Sequence, residues 1–255
     1  VNNFRPVIVP SAFAREAYLR SGVKTDVEVV PHGLDDCYLR AKRMPRHPEI
    51  LKLLKLKEEK GYVYVLFFLC HSGYRKGADI VYDVMKRVQE EYDNVILVVK
   101  RARGIDPYME MLKRLRMVEV SGWFEEDDLV DLYDICDICL VPSRGGGFEL
   151  NALEAIARGL PTLVPRAGCF LDYIDYCIGV EVNAFPEVLP NNPIHVGKGW
   201  EVERNDLYDR LIGVIDNLDH YKALFDNYGG IVREKYRWDN IGYLLMRVLK
   251  KYDFL

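Results

Sequence analysis

Short apolar runs alternate with segments of helical spacing along most of the chain. The runs are rich in branched and aromatic residues and are bounded by Gly, Pro, Asn or charged residues, which predicts strands. They occupy residues 7–9, 27–30, 62–69, 94–99, 118–121, 137–141 and 161–164. Between them, apolar residues recur at three- and four-residue intervals, which predicts helices. The clearest helical faces are Ile80 to Val88, Leu129 to Tyr133, Leu207 to Leu218 and Ile241 to Leu249.

Strands that are apolar along their whole length, and that helices separate, are typical of a parallel sheet covered on both faces. We therefore predict one α/β domain over residues 1–255, built on a doubly wound, Rossmann-like parallel sheet. Such sheets bind ligands outside the carboxyl ends of their strands. Residues 180–204 depart from the pattern, because three prolines fall there without regular spacing. We expect a loop or hairpin insertion that is mobile or contacts a partner; a plain insertion explains it equally well.

The composition narrows the possible partners and the environment. Hydrophobic residues make up 49% of the 255 residues, and 35 Lys and Arg against 39 Asp and Glu give a formal net charge of -4. A weakly acidic chain lacks the positive field that nucleic-acid binding needs, so nucleic acid is not an expected partner. No apolar run approaches the roughly 20 residues of a membrane-spanning helix. We therefore expect a soluble, cytoplasmic protein.

Six cysteines are too few for a disulfide scaffold in a chain of this length. Five of them lie within or beside apolar stretches, and we expect buried thiols. Cys136 and Cys139 have the spacing of a metal-ligand pair, but no second pair of Cys or His completes four ligands, so no metal is expected. The sequence also contains no serine-hydrolase elbow and no dinucleotide fingerprint at an early strand.

The stretch from Val141 to Ala155 is the most informative for chemistry. Gly145, Gly146 and Gly147 follow a predicted strand and precede a predicted helix, so backbone N–H groups there can approach an anion closely. Glu154 lies about one turn inside this helix, at a depth where a carboxylate can accept hydrogen bonds from sugar hydroxyls. By itself, such a pattern is more often a tight turn followed by a solvated helix.

The surrounding segments favour the functional interpretation. In order and spacing, the chain resembles the C-terminal, nucleotide-sugar-binding domain of a GT-B glycosyltransferase of retaining family four (GT4), over essentially all of its length. The matching segments are Ile8-Val9-Pro10-Ser11, Gly22-Val23, Val29 to Asp35, Arg75 to Asp79, Ser121 to Phe124, Leu129 to Tyr133, Pro142-Ser143, Leu153 to Pro161 and Arg237-Trp238. The resemblance implies a hexosyltransferase that moves a sugar from a nucleoside-diphosphate sugar to an acceptor, with retention of configuration and without a cofactor or a metal. The acceptor, whether glycan, lipid or protein, is not identified.

The resemblance also implies which residues bind the donor phosphates. Lys76 matches the family lysine that neutralises these phosphates and steadies the leaving nucleoside diphosphate. His71 stands where the family has an arginine. We expect Arg75, or Lys100 with Arg101, to supply the missing charge, while ordinary surface positions are an equal alternative for the two arginines.

The family has a pair of glutamates separated by seven residues. Glu154 matches the second and is expected to bind the ribose, whereas the first falls on Gly146, which leaves the transferred sugar open. We expect Glu149 to bring a carboxylate into the same space and to act in catalysis with Lys76. Trp123 is expected near the base or, alternatively, in the core. The complete set of expected donor-binding residues is Gly73, Arg75, Lys76, Lys100, Trp123, Gly147, Phe148, Glu149, Leu150, Asn151 and Glu154.

The resemblance finally implies a second half. The chain starts at the segment that resembles the junction of a GT-B enzyme, and residues 237–255 resemble the helix that crosses back to the other domain. We therefore expect an acceptor-binding domain in the parent chain or in another subunit. The 255 residues alone are expected to bind a nucleotide but to transfer sugar poorly.

Three alternatives stay open at this point. The first is a nucleotide-sugar-binding or regulatory module that has lost catalysis, which Gly146 and His71 favour. The second, weaker alternative is a nucleotide-sugar epimerase of similar fold. The third concerns a predicted basic helix around Lys113, Arg114 and Arg116, which suits a membrane surface but more often is a solvated face.

Overall fold

The computed structural model describes residues 1–70, 72–101, 106–193 and 197–255. In chain order, the strands are β1 (Val7–Val9), β2 (Val27–Val29), β3 (Val63–Leu69), β4 (Val95–Arg101), β5 (Met117–Ser121), β6 (Ile138–Leu140), β7 (Thr162–Pro165), β8 (Ile178–Val180), β9 (Val182–Ala184) and β10 (Glu201–Val202). Six of them form a parallel sheet in the order β5-β4-β3-β6-β7-β8, which confirms the doubly wound α/β prediction. Because the strand order reverses between β3 and β6, a crevice for a ligand is expected outside their carboxyl ends.

Helices cover both faces of this sheet. They are α1 (Ala12–Arg20), α2 (Asp36–Leu39), α3 (Pro48–Lys60), α4 (Gly73–Lys76), α5 (Ala78–Glu91), α6 (Pro107–Leu112), α7 (Glu126–Ile135), α8 (Leu150–Ala157), α9 (Arg204–Asp216), α10 (Leu218–Lys235) and α11 (Trp238–Lys251). Their ends follow local sequence rules. The α3 helix starts with Pro48, where a missing N–H costs nothing, and ends at Gly61, which adopts the left-handed conformation with φ 65°.

The central strand β3 shows why the fold needs two apolar layers. Tyr64, Leu66 and Phe68 belong to one buried cluster, together with residues of α7, α8 and α10. The alternate residues Val65, Phe67 and Leu69 belong to a second cluster, together with residues of α5 and α9. Successive side chains of a strand point to opposite faces, so an apolar strand of this kind is stable only between two layers of helices.

The sequence-based prediction omitted α10, which lies between the two C-terminal helices that were expected. Glycines at 229 and 230 obscure its helical pattern. The structure gives Gly229 a packing role, because a Cβ atom there would meet the Ile156 carbonyl oxygen of α8 at 2.8 Å. The helix predicted around Lys113, Arg114 and Arg116 is present as α6, but it ends at Leu112, before these basic residues. Arg116 donates to the backbone oxygens of Gln89 and Tyr92, which holds it in the turn before β5.

Residues 180–204 include a short antiparallel hairpin. The strands β9 and β10 pair with each other, and an isolated bridge joins Glu187 to Lys198. The base of the hairpin is tied to the body of the domain, because Glu201 accepts a hydrogen bond of 2.7 Å from the buried Arg144. The hairpin form matches the expectation, and its mobility or partner contact stays a prediction.

The C-terminal helix α11 carries a row of exposed apolar residues. Its N-terminus is fixed to the early part of the chain, since Trp238 donates through Nε1 to Asp35 at 2.8 Å and Leu34 donates to the Tyr236 carbonyl at 2.7 Å. Tyr243 and Met246, in contrast, are largely exposed. Among the helices in the described part of the chain, none is long and apolar enough to span a membrane.

The six cysteines are free thiols. Cys37, Cys136, Cys139 and Cys169 are buried, whereas Cys70 and Cys177 are only half-buried. Burial raises the pKa of Cys37 to about 11, and it raises the pKa of the Cys139 thiol further. The expectation of buried thiols is therefore met by three of the five cysteines that it concerned.

Candidate functional site

A cleft of about 370 Å³ opens at the carboxyl ends of β3, β4 and β5 and against the start of α8. Its position matches the crevice expected at the reversal of strand order. The cleft is lined by Phe68, Cys70, Lys76, Lys100, Gly122, Trp123, Phe124, Glu126, Leu129, Glu149, Leu150, Asn151 and Glu154. Lys76 and Glu154, which are far apart in the sequence, therefore share one cleft, as expected from the sequence.

The turn after β3 brings Lys76 to the cleft. It contains two residues in the left-handed conformation, Ser72 with φ 50° and Gly77 with φ 78°. A Cβ atom at Gly77 would approach the Pro142 carbonyl carbon at 3.1 Å and its oxygen more closely still, so only glycine lets this turn pack on the loop after β6. Across that contact, Lys76 Nζ lies 2.6 Å from Glu149 Oε2.

Glu149 precedes α8 and is held by three side chains. Its backbone is in the left-handed region with φ 56°, which is uncommon for a non-glycine residue, and the residue is only 8% exposed. Besides the bond from Lys76, its Oε1 accepts a hydrogen bond of 2.9 Å from Ser143 and lies 3.6 Å from Arg75 NH1. Two cations and a hydroxyl therefore fix the position of this carboxylate.

The same carboxylate fills the space beside Gly146. A Cβ atom built on Gly146 would meet Glu149 Cδ and Cγ at 2.8 Å, and Oε1 more closely still. A side chain at position 146 and the present conformation of Glu149 therefore exclude each other. This is the geometry expected if the carboxylate of Glu149 takes the place of one from position 146.

Backbone donors converge at the start of α8. Within the described part of the chain, the N–H groups of Phe148, Glu149 and Leu150 donate no hydrogen bond. Tyr173 holds the preceding backbone by donating to the carbonyl oxygens of Phe148 at 2.8 Å and Glu149 at 3.1 Å. Free N–H groups at a helix start suit an anion.

Glu154, one turn further along α8, has tyrosines rather than cations as neighbours. Tyr133 donates a hydrogen bond of 2.7 Å to Glu154 Oε2, and Tyr133 itself is fully buried. Burial raises the pKa of Glu154 to about 7, against the opposing effect of the Tyr133 hydrogen bond, and the nearby Glu126 carboxylate raises the pKa further. This part of the cleft offers a carboxyl group whose charge changes near neutral pH.

Aromatic and apolar side chains line the cleft at the end of β5. Phe124 lies under Lys100, whose Nζ is 4.3 Å from the ring centroid. Trp123 is 89% exposed at the same wall, so the alternative that it is a core aromatic is wrong. A flat apolar wall next to an anion-binding end is suited to a nucleotide.

Several expected residues lie outside this cleft. Gly145, Gly146 and Gly147 do not separate Lys76 from Glu154; together with Arg75 they line a second cleft of about 570 Å³, next to α1 and the hairpin.

Other expected residues serve the structure. Gly73 donates its N–H to Asp106 at 3.1 Å, and its Cβ position is occupied by Tyr108. Phe148 is buried, with its ring 5.8 Å from that of Tyr173, so only its backbone faces the site. Arg101 is paired with Glu119. His71 lies outside the described residues.

The residues that support the site are not among those predicted from the sequence. Ser143 was noted only as part of a segment, although it is buried and contacts Glu149. Tyr133 contacts Glu154, and Tyr38 donates to Glu126 at 3.0 Å. Each of these residues places a hydroxyl group within an apolar stretch of the sequence. A buried hydroxyl needs a hydrogen-bond partner, so this pattern was the available indication of a polar contact.

Arg144 supports the glycine-containing loop from below. It is 1% exposed and forms bonds of 2.7 Å from NH1 and NH2 to the two carboxylate oxygens of Asp79, and it also lies 2.6 Å from Glu201. This bidentate arrangement joins the loop, α5 and the hairpin. Among the residues described, no group of three or more His, Cys, Asp or Glu side chains is arranged to hold a metal ion.

Comparisons with known proteins assign the chain to a family. The sequence profile of the family described as glycosyl transferases group 1 matches residues 63–192. The chain is 32% identical, over 263 aligned residues, to uncharacterized protein 356 of Sulfolobus islandicus rod-shaped virus 1, covering 99% of this chain and 71% of that protein. It is 28% identical to putative glycosyltransferase 45 of a Sulfolobus islandicus filamentous virus, covering 92% of this chain and 64% of the relative.

The fold is shared with solved glycosyltransferase structures. One is Anabaena HepE in complex with UDP and glucose, with a TM-score of 0.73 and 17% identity, covering 98% of this chain and 64% of that one. At this identity the likeness concerns the fold alone. The chain thus spans about two thirds of the length of each of these three proteins.

Proposed function

Because the chain belongs to the group 1 glycosyltransferases, we propose that its cleft binds a nucleoside-diphosphate sugar and that the protein transfers this sugar to an acceptor with retention of configuration. The observation that carries the proposal is the meeting of Lys76, Glu149 and Glu154 with the free N–H groups at the start of α8. The complex of the structural neighbour HepE with UDP and glucose supports the same class of donor.

In the proposed mechanism, Lys76 and the N–H groups of α8 bind the diphosphate. Their positive charge and dipole stabilise the negative charge that develops on the leaving nucleoside diphosphate, so we propose that no metal is needed. Glu154 accepts hydrogen bonds from the ribose hydroxyls. The acceptor, the transferred sugar and a second domain or subunit that completes the acceptor site belong to the proposal for the whole protein.

We propose that Glu149 acts in place of a carboxylate at position 146. Its carboxylate fills the space next to Gly146 while Lys76, Arg75 and Ser143 hold it at the edge of the cleft. From there it can contact the hydroxyls of the transferred sugar. The left-handed backbone at Glu149, a conformation that glycine adopts without strain, is compatible with a carboxylate that has changed position in the sequence.

A thermal-shift panel tests donor binding. A nucleotide at 100 times its dissociation constant stabilises the protein by about 2.7 kcal/mol, which corresponds to a rise in Tm of roughly 5 to 10 °C for a domain of this size. We expect such a rise with one of UDP, GDP or ADP or with their sugars, and we expect Lys76→Met to abolish it. The exposed Lys42→Met is the matched control. No rise with any of these ligands would contradict the proposal.

An exchange of glycine and glutamate tests the role of Glu149. We expect Glu149→Gly to lose donor hydrolysis and the extra affinity of the nucleotide sugar over the free nucleotide. The double variant Gly146→Glu/Glu149→Gly should recover both, because it returns a carboxylate to the same space from the other position. Full activity of Glu149→Gly would reject the role.

A second candidate function is a nucleotide-sugar-binding or regulatory module without catalysis. The specific observation in its favour is Gly146, where the family has a glutamate. Donor binding without hydrolysis or transfer, measured with the complete protein, would favour this candidate. Formation of an epimer from the donor would instead indicate the weaker epimerase alternative.

A further inference from the structure

A second lysine of the cleft carries a charge that the protein does not neutralise. Lys100 is the penultimate residue of β4 and is 6% exposed. Within the described ranges, its Nζ forms no ion pair with a carboxylate; it donates to the Gly122 carbonyl at 2.6 Å and lies over the ring of Phe124. Lys76, in contrast, is paired with Glu149.

Such a lysine is unfavourable without a ligand. An ammonium group has three N–H donors, and only one of them is used by the Gly122 carbonyl. Burial lowers the pKa of Lys100, because the charged form is poorly solvated there. Buried charged groups in proteins are normally paired, so an acceptor atom supplied by a ligand in the cleft would remove this penalty.

The sheet order indicates which part of a nucleotide reaches Lys100. From α8 to the aromatic wall, the cleft crosses the ends of β6, β3, β4 and β5, and neighbouring strands lie about 4.8 Å apart. Lys100 is therefore two strand spacings, roughly 10 Å, from the anion-binding loop after β6. It stands beside Phe124 and near Phe68 and Trp123, where a flat ring is accommodated. A diphosphate at α8 would place its base, not its phosphates, next to Lys100.

We propose that Lys100 recognises the base of the nucleotide by donating a hydrogen bond to the exocyclic oxygen O4 of uracil or O6 of guanine. The donor substrate then carries one of these two keto bases, because cytosine and adenine have an amino group, N4 or N6, at the corresponding position, and two donors would face each other. This inference rests on the proposed function, since it assumes that the cleft binds a nucleoside diphosphate. A ligand that leaves a buried polar group of the site without a hydrogen-bond partner binds much more weakly than one that pairs with it.

Calorimetric titration of the full chain with UDP, GDP, CDP and ADP tests the proposal, with inorganic pyrophosphate as a probe for the phosphate site. We expect at least one keto nucleotide to bind roughly tenfold or more tighter than its amino counterpart. Lys100→Met should weaken that nucleotide by roughly 10- to 150-fold, the cost of one hydrogen bond to a charged group. The same change should alter the affinities for the amino nucleotides and for pyrophosphate by no more than about threefold. Lys42→Met should leave all of these affinities unchanged.

The other outcomes are informative. An equal loss for all four nucleotides and for pyrophosphate in Lys100→Met would make Lys100 a phosphate ligand and overturn the proposal. Equal affinity of keto and amino nucleotides for the wild type would overturn it as well. If none of the probes binds the wild type, the proposed function itself fails. Should Lys100→Met not fold, Lys100→Gln, which keeps a neutral donor of similar length, is expected to retain the keto preference in weakened form, and an unchanged preference would reject the role.

Discussion

Glu149 and Glu154 are five residues apart, each is 8% exposed, and both line the same cleft, yet their surroundings differ. Glu149 faces Lys76 at 2.6 Å and Arg75 at 3.6 Å. Glu154 faces Tyr133, and among the described residues no cation is paired with it. Two carboxylates with different environments are suited to different tasks. One carboxylate is held between two cations, and the other changes its charge near neutral pH.

The difference originates in the backbone as much as in the neighbours. Glu149 precedes α8 in a left-handed conformation and turns back toward the loop that carries Lys76. Glu154 lies within α8, where regular helical geometry directs it between α7 and α2, beside Tyr133 and near Tyr38. Replacing the residues that contact each glutamate should therefore separate two contributions to stability: charge pairing at Glu149 and burial at Glu154.

The largest expected effect comes from breaking the cationic end. Lys76→Met leaves Glu149 as a buried carboxylate without its nearest cation, and removing one partner of a buried pair costs about 3 to 5 kcal/mol of unfolding free energy. Urea denaturation measures the loss. The double variant Lys76→Met/Glu149→Gln should recover most of it, because the remaining charge is also removed. A double variant that is as unstable as the sum of its two single variants would contradict the pairing.

The next effect is the pH dependence due to Glu154. Its pKa is about 7 in the folded protein and near 4.5 when unfolded, so the folded state holds the proton more tightly. The stabilisation is fully present below pH 4.5 and is lost as pH rises through 7, with a total on the order of 3 kcal/mol. Unfolding measured from pH 4.5 to 8 in the wild type and in Glu154→Gln checks this, because the glutamine variant should lack this slope. Equal slopes would contradict it.

The same titration should affect the ligand in the opposite direction. A ribose hydroxyl donates better to a carboxylate than to a carboxylic acid, so we expect nucleotide affinity to rise as pH increases through 7. Glu154→Ala should weaken binding by roughly 10- to 150-fold at pH 8, and Glu154→Gln should show no such pH dependence. Binding titrations at pH 6 and pH 8 measure both, and unchanged nucleotide affinity in Glu154→Ala would reject the ribose role.

The smallest effects come from the two hydroxyl donors. Ser143→Ala and Tyr133→Phe each remove one hydrogen bond to a buried carboxyl group, at a cost of about 1 to 3 kcal/mol. Only Tyr133→Phe should also increase the total pH-dependent loss of stability and extend it to higher pH, because loss of its hydrogen bond raises the pKa of Glu154. Ser143 does not contact Glu154 in the structure, so its variant should keep the wild-type slope.

Much of the fold could be predicted from the sequence. A strand such as β3 is apolar along its whole length because helices cover both of its faces, so its sequence already indicates a buried strand of a parallel sheet. The site was predicted less completely. Lys76, Glu149 and Glu154 are marked by their positions after strands, but the exclusion between Gly146 and the Glu149 carboxylate depends on backbone angles that a sequence does not state. The hydrogen bond from Gly73 to Asp106 could not be predicted either, because the two residues are 33 positions apart in the sequence.

The arrangement of the cysteines gives this protein native reporters for chemical labelling. Cys139 is fully buried in β6 and its thiol pKa is raised, so an alkylating reagent reaches it only when the central sheet opens. Cys70 is half-buried in the lining of the cleft that also contains Lys76 and Glu154, where an occupant would shield it. A single modification time course followed by mass spectrometry would then record occupancy of the cleft at one sulfur and global opening at another, without any engineered label.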